Sequence, residues 1–300
     1  MELWIPITLA AAFFQNLRFM LQKSLKGRLT TLGVTFSRFV FAAPLAWLVV
    51  FGLLLRPGTV WPGLTIEFAV YATVGALAQI VATALLVALF SLKSFAVGVT
   101  FSQTETVMTA LLSAAILSEP VSGAAWVAIL VTVAGVIAMS GLPSPANWAS
   151  GILGRAAGIG IASGVIFAMA SIGYRGASLA LVQGDFLIRG AVTLAIVTTF
   201  QTVVMAGWMA AREPGQMARV FGAWRVAIWV GLTGMLGSLG WFTAFTLQNA
   251  AYVKSLGQIE LVFTVLATLF FFREPIRRAE AVGIGLIVLG ILMLIWGVRP

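Results

Sequence analysis

The sequence predicts an all-α membrane protein with ten transmembrane helices, arranged as two inverted repeats of five helices each. Three observations support this fold: an apolar composition, ten apolar stretches of membrane-spanning length, and an internal repeat. Hydrophobic residues make up 61% of the chain and charged residues only 9%. A soluble domain carries about a quarter charged residues, so much of the surface of this protein must face lipid.

The composition also limits the chemistry. The chain has no His and no Cys, which removes thiolate chemistry, His-ligated metals and Ser-His-Asp or Cys-His catalysis. It also has no Walker A motif. We therefore predict no enzyme activity, no metal, no cofactor and no ATP hydrolysis within the chain. The net charge of +9 does not indicate nucleic acid, because Lys and Arg gather in short loops, where they orient spans or meet anionic headgroups.

The ten apolar stretches are the candidate spans, because a transmembrane helix needs about 20 apolar residues. The first begins directly after Met1-Glu2 without a basic segment, so we predict no cleavable signal peptide. The third and fourth stretches are almost fused, and so are the eighth and ninth. The predicted spans are 3–20, 33–55, 68–90, 94–117, 123–140, 156–174, 186–210, 226–246, 250–272 and 281–296.

The chain repeats itself when it is shifted by 155 positions without gaps. Ten of the 31 residues in 90–120 are identical to their counterparts in 245–275. Hydrophobic bias does not account for identical polar residues, so the repeat indicates a duplication. The identical acidic and amide pairs are Gln103 with Gln258, Glu105 with Glu260, and Glu119 with Glu274.

A segment rich in turn residues, 141–147, separates the two halves. We predict a first five-helix repeat at 1–140, a linker at 141–155 and a second five-helix repeat at 156–300. Because each half holds an odd number of spans, the second half must be inverted in the membrane. Inverted repeats are typical of transporters, which bind substrate near the membrane midplane.

Each half carries one motif around its third and fourth predicted spans. In the first half the motif runs from Leu89-Phe90-Ser91-Leu92-Lys93 through Glu105 to Ser118-Glu119-Pro120; in the second it runs from Phe245-Thr246-Leu247-Gln248 through Glu260 to Arg273-Glu274-Pro275. Both motifs resemble the EamA domain of the drug/metabolite transporter (DMT) superfamily, with Ser118 and Arg273 in place of the usual Gly. The resemblance implies a ten-span exporter or importer of amino acids and other metabolites in a bacterial-type inner membrane. Its nearest functional type is the YddG-like aromatic amino-acid exporter.

These features predict a secondary transporter, chiefly an exporter of amino acids including aromatic ones, that works by alternating access around a central cavity. Ten spans form a complete pathway, so we predict a monomer whose partners are a small-molecule substrate, the lipid bilayer and a coupling proton. The alternatives are a transporter of nucleobases, sugars or toxic compounds, and a channel or other non-transporting membrane protein. An intramembrane enzyme is disfavoured by the missing His, Cys and metal motifs.

The charge distribution and the resemblance disagree about orientation. Loops after odd-numbered spans hold most of the Lys and Arg residues, so the positive-inside rule places those loops in the cytoplasm and both termini outside. Members of the resembled superfamily are often drawn with both termini inside. A C-terminal reporter that is active only in the cytoplasm separates the two orientations.

Of the nine acidic residues, only Glu105 and Glu260 lie in the middle of predicted spans. A carboxylate at the centre of a transmembrane helix costs about 2.5–3.5 kcal/mol on insertion scales. Two interpretations stay open: a carboxylate that faces the cavity and takes up a proton or contacts a substrate amine, or a bond that fastens the fourth and ninth helices together. Gln103 and Gln258, two residues earlier, point to other helix faces, so we expect one member of each pair to face the cavity.

Other residues inside the spans are further candidates for the cavity. Gln15 and Asn16 lie in the first span and Gln79 in the third, while Trp241 and Tyr252 are candidate stacking surfaces for an aromatic substrate. The competing interpretations are hydrogen bonds between helices and aromatic anchors at the membrane interface.

Two basic residues, Arg38 and Arg189, lie early in the second and seventh spans, four residues away from the 155-residue offset. They are candidates for gating or for binding a substrate carboxylate, and the alternative is anchoring to headgroups or a loop carbonyl. Lys254 is expected to reach the membrane interface. In the eighth span, glycine at every third position predicts close helix approach, or else the wall of a cavity or a hinge.

Overall fold

The structure is a computed structural model that describes residues 2–25, 27–89, 104–139, 155–267 and 278–297. Every regular element in those ranges is a helix. The helices are α1 (Trp4–Leu25), α2 (Thr31–Leu54), α3 (Ile66–Leu89), α4 (Thr104–Leu117), α5 (Gly123–Met139), α6 (Arg155–Leu179), α7 (Phe186–Arg212), α8 (Gln216–Gly222), α9 (Trp224–Leu247), α10 (Ala250–Gly257), α11 (Ile259–Ala267) and α12 (Arg278–Gly297).

Six of the described helices are long and apolar enough to cross a membrane: α2, α3, α6, α7, α9 and α12. Helices α4 and α5 are apolar but shorter. Large apolar side chains, including Leu48, Val203 and Trp296, are exposed, as expected for surfaces that contact lipid. The chain is therefore a multi-pass α-helical membrane protein, and the count of ten spans stays a prediction.

Polar side chains fix where several helices begin. Thr30 Oγ1 accepts a hydrogen bond of 3.1 Å from the Gly33 N–H at the start of α2. Asp185 Oδ1 accepts one of 2.8 Å from the Leu187 N–H at the start of α7, and Asn249 caps α10 in the same way. These bonds satisfy backbone donors that have no partner within the first turn of a helix.

The structure corrects two predicted spans. The span predicted at 250–272 is wrong as one continuous helix, because α10 ends at Gly257 and α11 begins at Ile259. The Gln258 N–H bonds to the Ser255 carbonyl at 3.2 Å, an i to i−3 bond that tightens the chain into a turn. The span predicted to end at 174 continues to the end of α6 at Leu179, which places Arg175 inside a helix.

The chain packs as two compact units, and each is built from both halves of the sequence. The first unit contains Met1–Ile80 and Ala170–Gln248; the second contains Val81–Met169 and Asn249–Pro300. Helices α1, α2 and α7 to α9 belong to the first unit, while α4, α5 and α10 to α12 belong to the second. Helices α3 and α6 contribute residues to both. The units of packing therefore do not follow the repeats predicted at 1–140 and 156–300.

In the first unit, α1 packs against α9 and α2 packs against α7. Glycines on α9 allow the first of these contacts. A Cβ added at Gly240 would lie 2.8 Å from the Ala11 Cβ, and one at Gly237 would lie 3.3 Å from the Gln15 backbone nitrogen. The glycine row therefore permits close helix approach, as one of its two predicted interpretations requires.

In the second unit, α5 packs against α12 through two glycines. A Cβ added at Gly135 would lie 2.7 Å from the Gly283 carbonyl oxygen, and one at Gly290 would lie 2.8 Å from the Ala128 carbonyl oxygen. Gly290 is 155 residues after Gly135, and Gly283 is 155 residues after Ala128. The two contacts therefore exchange when the numbering is shifted by the offset of the sequence repeat.

Candidate functional site

A layer of polar side chains lies inside the first unit, where α3, α6 and α7 each contribute one residue. Gln201 on α7 is 0% exposed. Its Nε2 lies 2.9 Å from Gln79 Oε1, 3.1 Å from the Ala76 carbonyl oxygen and 3.2 Å from Tyr174 Oη. An amide nitrogen only donates, so Tyr174 Oη is the acceptor in the third contact. The Tyr174 hydroxyl proton is therefore left for another acceptor.

Arg38 extends this layer from α2. Its side chain is 6% exposed, and its Nη2 donates to Ser238 Oγ on α9 at 3.3 Å. The guanidinium carbon lies 5.1 Å from the centre of the Phe39 ring, and Ser238 lies four residues before Phe242, whose ring stacks on Tyr174. Within the part of the chain that the structure describes, Arg38 makes no ion pair.

A second buried arginine, Arg18 on α1, converges on the same place. Arg18 is 3% exposed. A Cβ added at Gly234 would lie 3.3 Å from Arg38 Cγ and 3.4 Å from Arg18 Cδ. The two side chains therefore flank one glycine of α9 and place two positive charges inside a single unit.

Aromatic rings adjoin this layer. Tyr174 stacks on Phe242 with ring centres 4.3 Å apart, and Trp241 stacks on Phe245 at 6.0 Å. The Trp241 indole N–H donates to Gln15 Oε1 at 3.0 Å. The structure thus brings together two residues, Gln15 and Trp241, that the sequence nominated separately. Asn16, next to Gln15 on α1, is half-buried.

Arg189 has a different environment from Arg38. Its guanidinium donates to the carbonyl oxygens of Ser178 at 2.9 Å, Leu179 at 2.6 Å and Leu181 at 3.0 Å. These carbonyls lie at and beyond the end of α6, where a helix leaves acceptors without intrahelical partners. Arg189 therefore anchors to loop carbonyls, and its predicted equivalence with Arg38 does not extend to its contacts.

Arg175 caps another helix in the same manner. It lies inside α6, is buried, and donates to the Phe245 and Gln248 carbonyl oxygens at the end of α9, the second at 2.6 Å. Arg175 and Arg189 thus share one role, since both donate to backbone carbonyl oxygens at a helix end.

In the second unit, Glu105 on α4 pairs with Lys254 on α10. Lys254 Nζ lies 2.6 Å from Glu105 Oε1, and each side chain is 15% exposed. A carboxylate from the other half of the sequence therefore lies within bonding distance of Lys254, and the expectation that Lys254 reaches the membrane interface stays a prediction. Gln258 adds a second link to α4, since its Nε2 donates to Thr106 Oγ1 at 3.0 Å.

The remaining predicted residues of this unit lie near α10 and α11. Tyr252 Oη accepts a hydrogen bond of 3.3 Å from the Ser122 N–H. Glu260 lies in the first turn of α11 and is half-buried. Gln103 lies outside the described residues.

The sequence prediction missed several buried polar residues, among them Tyr174, Gln201 and Asn249. Gln201 is a lone amide within the long apolar helix α7, which is the same signal that nominated Gln79. Asn249 accepts a hydrogen bond from Ser113 Oγ at 3.2 Å and donates one of 3.2 Å to the Glu119 carbonyl oxygen. Its position between two almost fused spans could have identified it as a helix cap.

Comparison with known proteins supports the fold alone. A solved structure described as "Crystal structure of protein" superposes with a TM-score of 0.66 over 99% of this chain and 99% of that chain, at 15% sequence identity. No protein-family model matches the chain, and no curated protein matches it. The fold and the buried polar layer define a multi-pass helical membrane protein with charged side chains in its interior.

Proposed function

We propose that this protein is a secondary transporter of small metabolites, with amino acids, including aromatic ones, as substrates and export as its direction. The observation that carries the proposal is the layer of buried Arg38, Tyr174 and Gln201 with half-buried Gln79, in a unit whose outer surface is apolar. Polar and charged side chains in the interior of a membrane protein mark substrate or ion pathways. Burying them costs free energy, and the packing of apolar helices does not require them.

The sequence repeat supports the same proposal. The contacts of Gly135 and Gly290 exchange under the 155-residue offset, as expected of two helices related by a twofold axis. Each compact unit also combines residues from both halves of the sequence. Inverted repeats of this kind are typical of transporters that expose one site alternately to the two sides of the membrane.

Flux into liposomes tests the proposal. The purified protein is reconstituted, and uptake of labelled L-phenylalanine is measured alone and with unlabelled substrate trapped inside. We expect saturable uptake that trapped substrate accelerates, together with a several-fold loss in Gln201→Leu, because that change removes the amide that joins Gln79 to Tyr174. Exposed Arg56 provides the control, Arg56→Gln, which should keep the flux of the unmodified protein.

Other outcomes separate the alternatives. Uptake that never saturates would favour a channel. Saturable uptake of a nucleobase, a sugar or a toxic compound in place of amino acids would change the substrate class but keep the transporter. No flux of any member of this panel would contradict the proposal.

We further propose proton coupling, a monomeric pathway and a bacterial-type inner membrane as the setting. The same liposomes test coupling when a pH gradient is imposed across them, and flux that ignores the gradient would count against a coupling proton. A reporter fused to the C-terminus tests the orientation.

A further inference from the structure

The first unit carries buried positive charge without acidic residues in its helix interiors. Its four acidic residues lie before a helix, in a first turn, or at the caps of α7. Arg38, in contrast, lies within α2 and is nearly fully buried. A buried cation is strongly disfavoured unless an anion or several hydrogen bonds compensate it. The acidic residues of this unit are Glu2, Glu67, Asp185 and Glu213.

Arg38 is a buried arginine with capacity left for a ligand. A guanidinium has five N–H donors, and Ser238 Oγ is the acceptor that Arg38 reaches within the described residues. Arg175 and Arg189 bond to two and three backbone carbonyl oxygens. Among the residues that the structure describes, Arg38 makes no such bond to a carbonyl, so its role differs from helix capping.

A second donor lies one turn along α9 from the contact of Arg38 with Ser238. Tyr174 stacks on Phe242, four residues after Ser238, and its hydroxyl oxygen accepts from the Gln201 amide. The hydroxyl proton therefore remains available to an acceptor. The rings of Phe39 and Phe242 lie against these two groups and lower the local dielectric, which strengthens a charge-assisted hydrogen bond.

We propose that Arg38 binds a carboxylate group of the substrate, with the Tyr174 hydroxyl as a second donor. A guanidinium pairs with a carboxylate through two parallel hydrogen bonds, and a single negative charge neutralises the group. The aromatic rings beside it would contact the apolar part of the same molecule. The identification of this ligand as a substrate rests on the proposed transport function, whereas the binding itself does not.

Binding to the purified full-length protein tests this site without any need for flux. L-phenylalanine, 3-phenylpropionate and acetate supply the carboxylate, phenethylamine supplies the same ring without it, and inorganic phosphate supplies a different anion. Dissociation constants are measured by titration calorimetry for the unmodified protein and for Arg38→Gln, Arg38→Lys and Tyr174→Phe. Arg56→Gln is the matched control, because it removes the same charge just beyond the end of α2, where Arg56 is exposed.

We expect 3-phenylpropionate or L-phenylalanine to bind and phenethylamine not to bind. Arg38→Gln should weaken carboxylate binding by about 30-fold, the effect of about 2 kcal/mol lost from a buried charged hydrogen bond. Arg38→Lys should lose less affinity than Arg38→Gln, because lysine keeps the positive charge although it lacks the planar guanidinium. Tyr174→Phe should weaken binding several-fold, and Arg56→Gln should bind as the unmodified protein does.

If 3-phenylpropionate binds and L-phenylalanine does not, the ligand is a simple organic acid. If only L-phenylalanine binds, the ligand is a zwitterionic amino acid. Both results support the site. Equal binding of phenethylamine, preference for phosphate, no binding of any carboxylate, or unchanged binding in Arg38→Gln would overturn it. If Arg38→Gln does not fold, the dissociation constants of Arg38→Lys and Arg56→Gln are compared instead. Weaker carboxylate binding in Arg38→Lys supports the site, and equal binding overturns it. Carboxylate binding with no flux in liposomes would contradict the transporter proposal and leave this site standing.

Discussion

The two units of this protein hold buried charge in opposite ways. In the second unit, the cation Lys254 lies 2.6 Å from the carboxylate of Glu105, so the pair is neutral. In the first unit, Arg38 makes no ion pair among the described residues, and no helix interior there carries a carboxylate. Because an isolated buried charge is costly and a paired one much less so, the neutral pair suits a structural link and the isolated charge suits a ligand site.

The arginines of the first unit also differ in the atoms to which they donate. Arg175 and Arg189 bond to carbonyl oxygens at helix ends, and those oxygens would otherwise be without intrahelical partners. Arg38 bonds to one hydroxyl. The residue type alone therefore says little about role inside a membrane protein; the atoms opposite the guanidinium decide it.

The largest effect that we expect comes from breaking the ion pair of the second unit. Glu105→Gln leaves Lys254 buried without its carboxylate, and the free energy of unfolding should fall by about 2–3 kcal/mol, less than for a fully buried pair because both side chains are partly exposed. Thermal unfolding of the purified protein measures the change. The double variant Glu105→Gln, Lys254→Met should recover much of the loss, because no unpaired charge remains.

Transport per folded molecule separates a structural role of Glu105 from a role as a proton site. If the pair is structural, flux corrected for the amount of folded protein stays near that of the unmodified protein. A Glu105→Gln variant that unfolds at the original temperature but loses the pH dependence of flux would instead make Glu105 a proton site.

A smaller effect should come from the glycines at the contact between α5 and α12. The new methyl group of Gly135→Ala would meet backbone atoms, and that of Gly290→Ala would meet backbone atoms and the Thr132 hydroxyl. Because backbone atoms cannot rotate away, each change should lower stability by about 1–3 kcal/mol. The two losses should be similar, because the contacts exchange under the 155-residue offset. Gly285→Ala is the control on α12, since nothing lies within 4 Å of its Cβ position.

Unequal losses at Gly135 and Gly290 would count against the predicted inverted repeat. A stable Gly135→Ala protein would mean that the two helices are farther apart than the structure has them.

The smallest of these effects concerns Arg189. Arg189→Gln removes hydrogen bonds to three carbonyl oxygens at the end of α6 and should lower stability by about 1–2 kcal/mol. Affinity for a carboxylate ligand should not change, in contrast to the loss expected for Arg38→Gln. Calorimetric titration and thermal unfolding of the same samples separate the two quantities, and a weakened affinity at unchanged stability would assign Arg189 to the substrate.

Much of the helical layout could be predicted from the sequence. The ten apolar stretches coincide with helices wherever the structure describes them, because apolar runs of this length satisfy their backbone hydrogen bonds internally when they are surrounded by lipid. The break at Gln258 was missed, since the apolar run continues through it. The helix α8 was missed because it is short and lies in a polar connection.

The candidate sites were predicted less completely. Glu105 was found because a carboxylate in an apolar stretch is conspicuous, yet its partner Lys254 lies 149 residues away in sequence. Gln201 was overlooked, although it is the amide around which Gln79 and Tyr174 assemble. In spans that are apolar on most faces, helical periodicity does not indicate which side a polar residue points to.

The sequence by itself determined that this is a helical membrane protein and which few polar residues interrupt its apolar segments, because composition and run length act locally along the chain. It also supplied the 155-residue repeat. Only the tertiary structure decided that Glu105 is neutralised, that Arg189 caps a helix and that Arg38 bonds to the Ser238 hydroxyl instead of a carboxylate. The physical reason is that the free energy of a buried charge depends on the atoms that other helices place beside it.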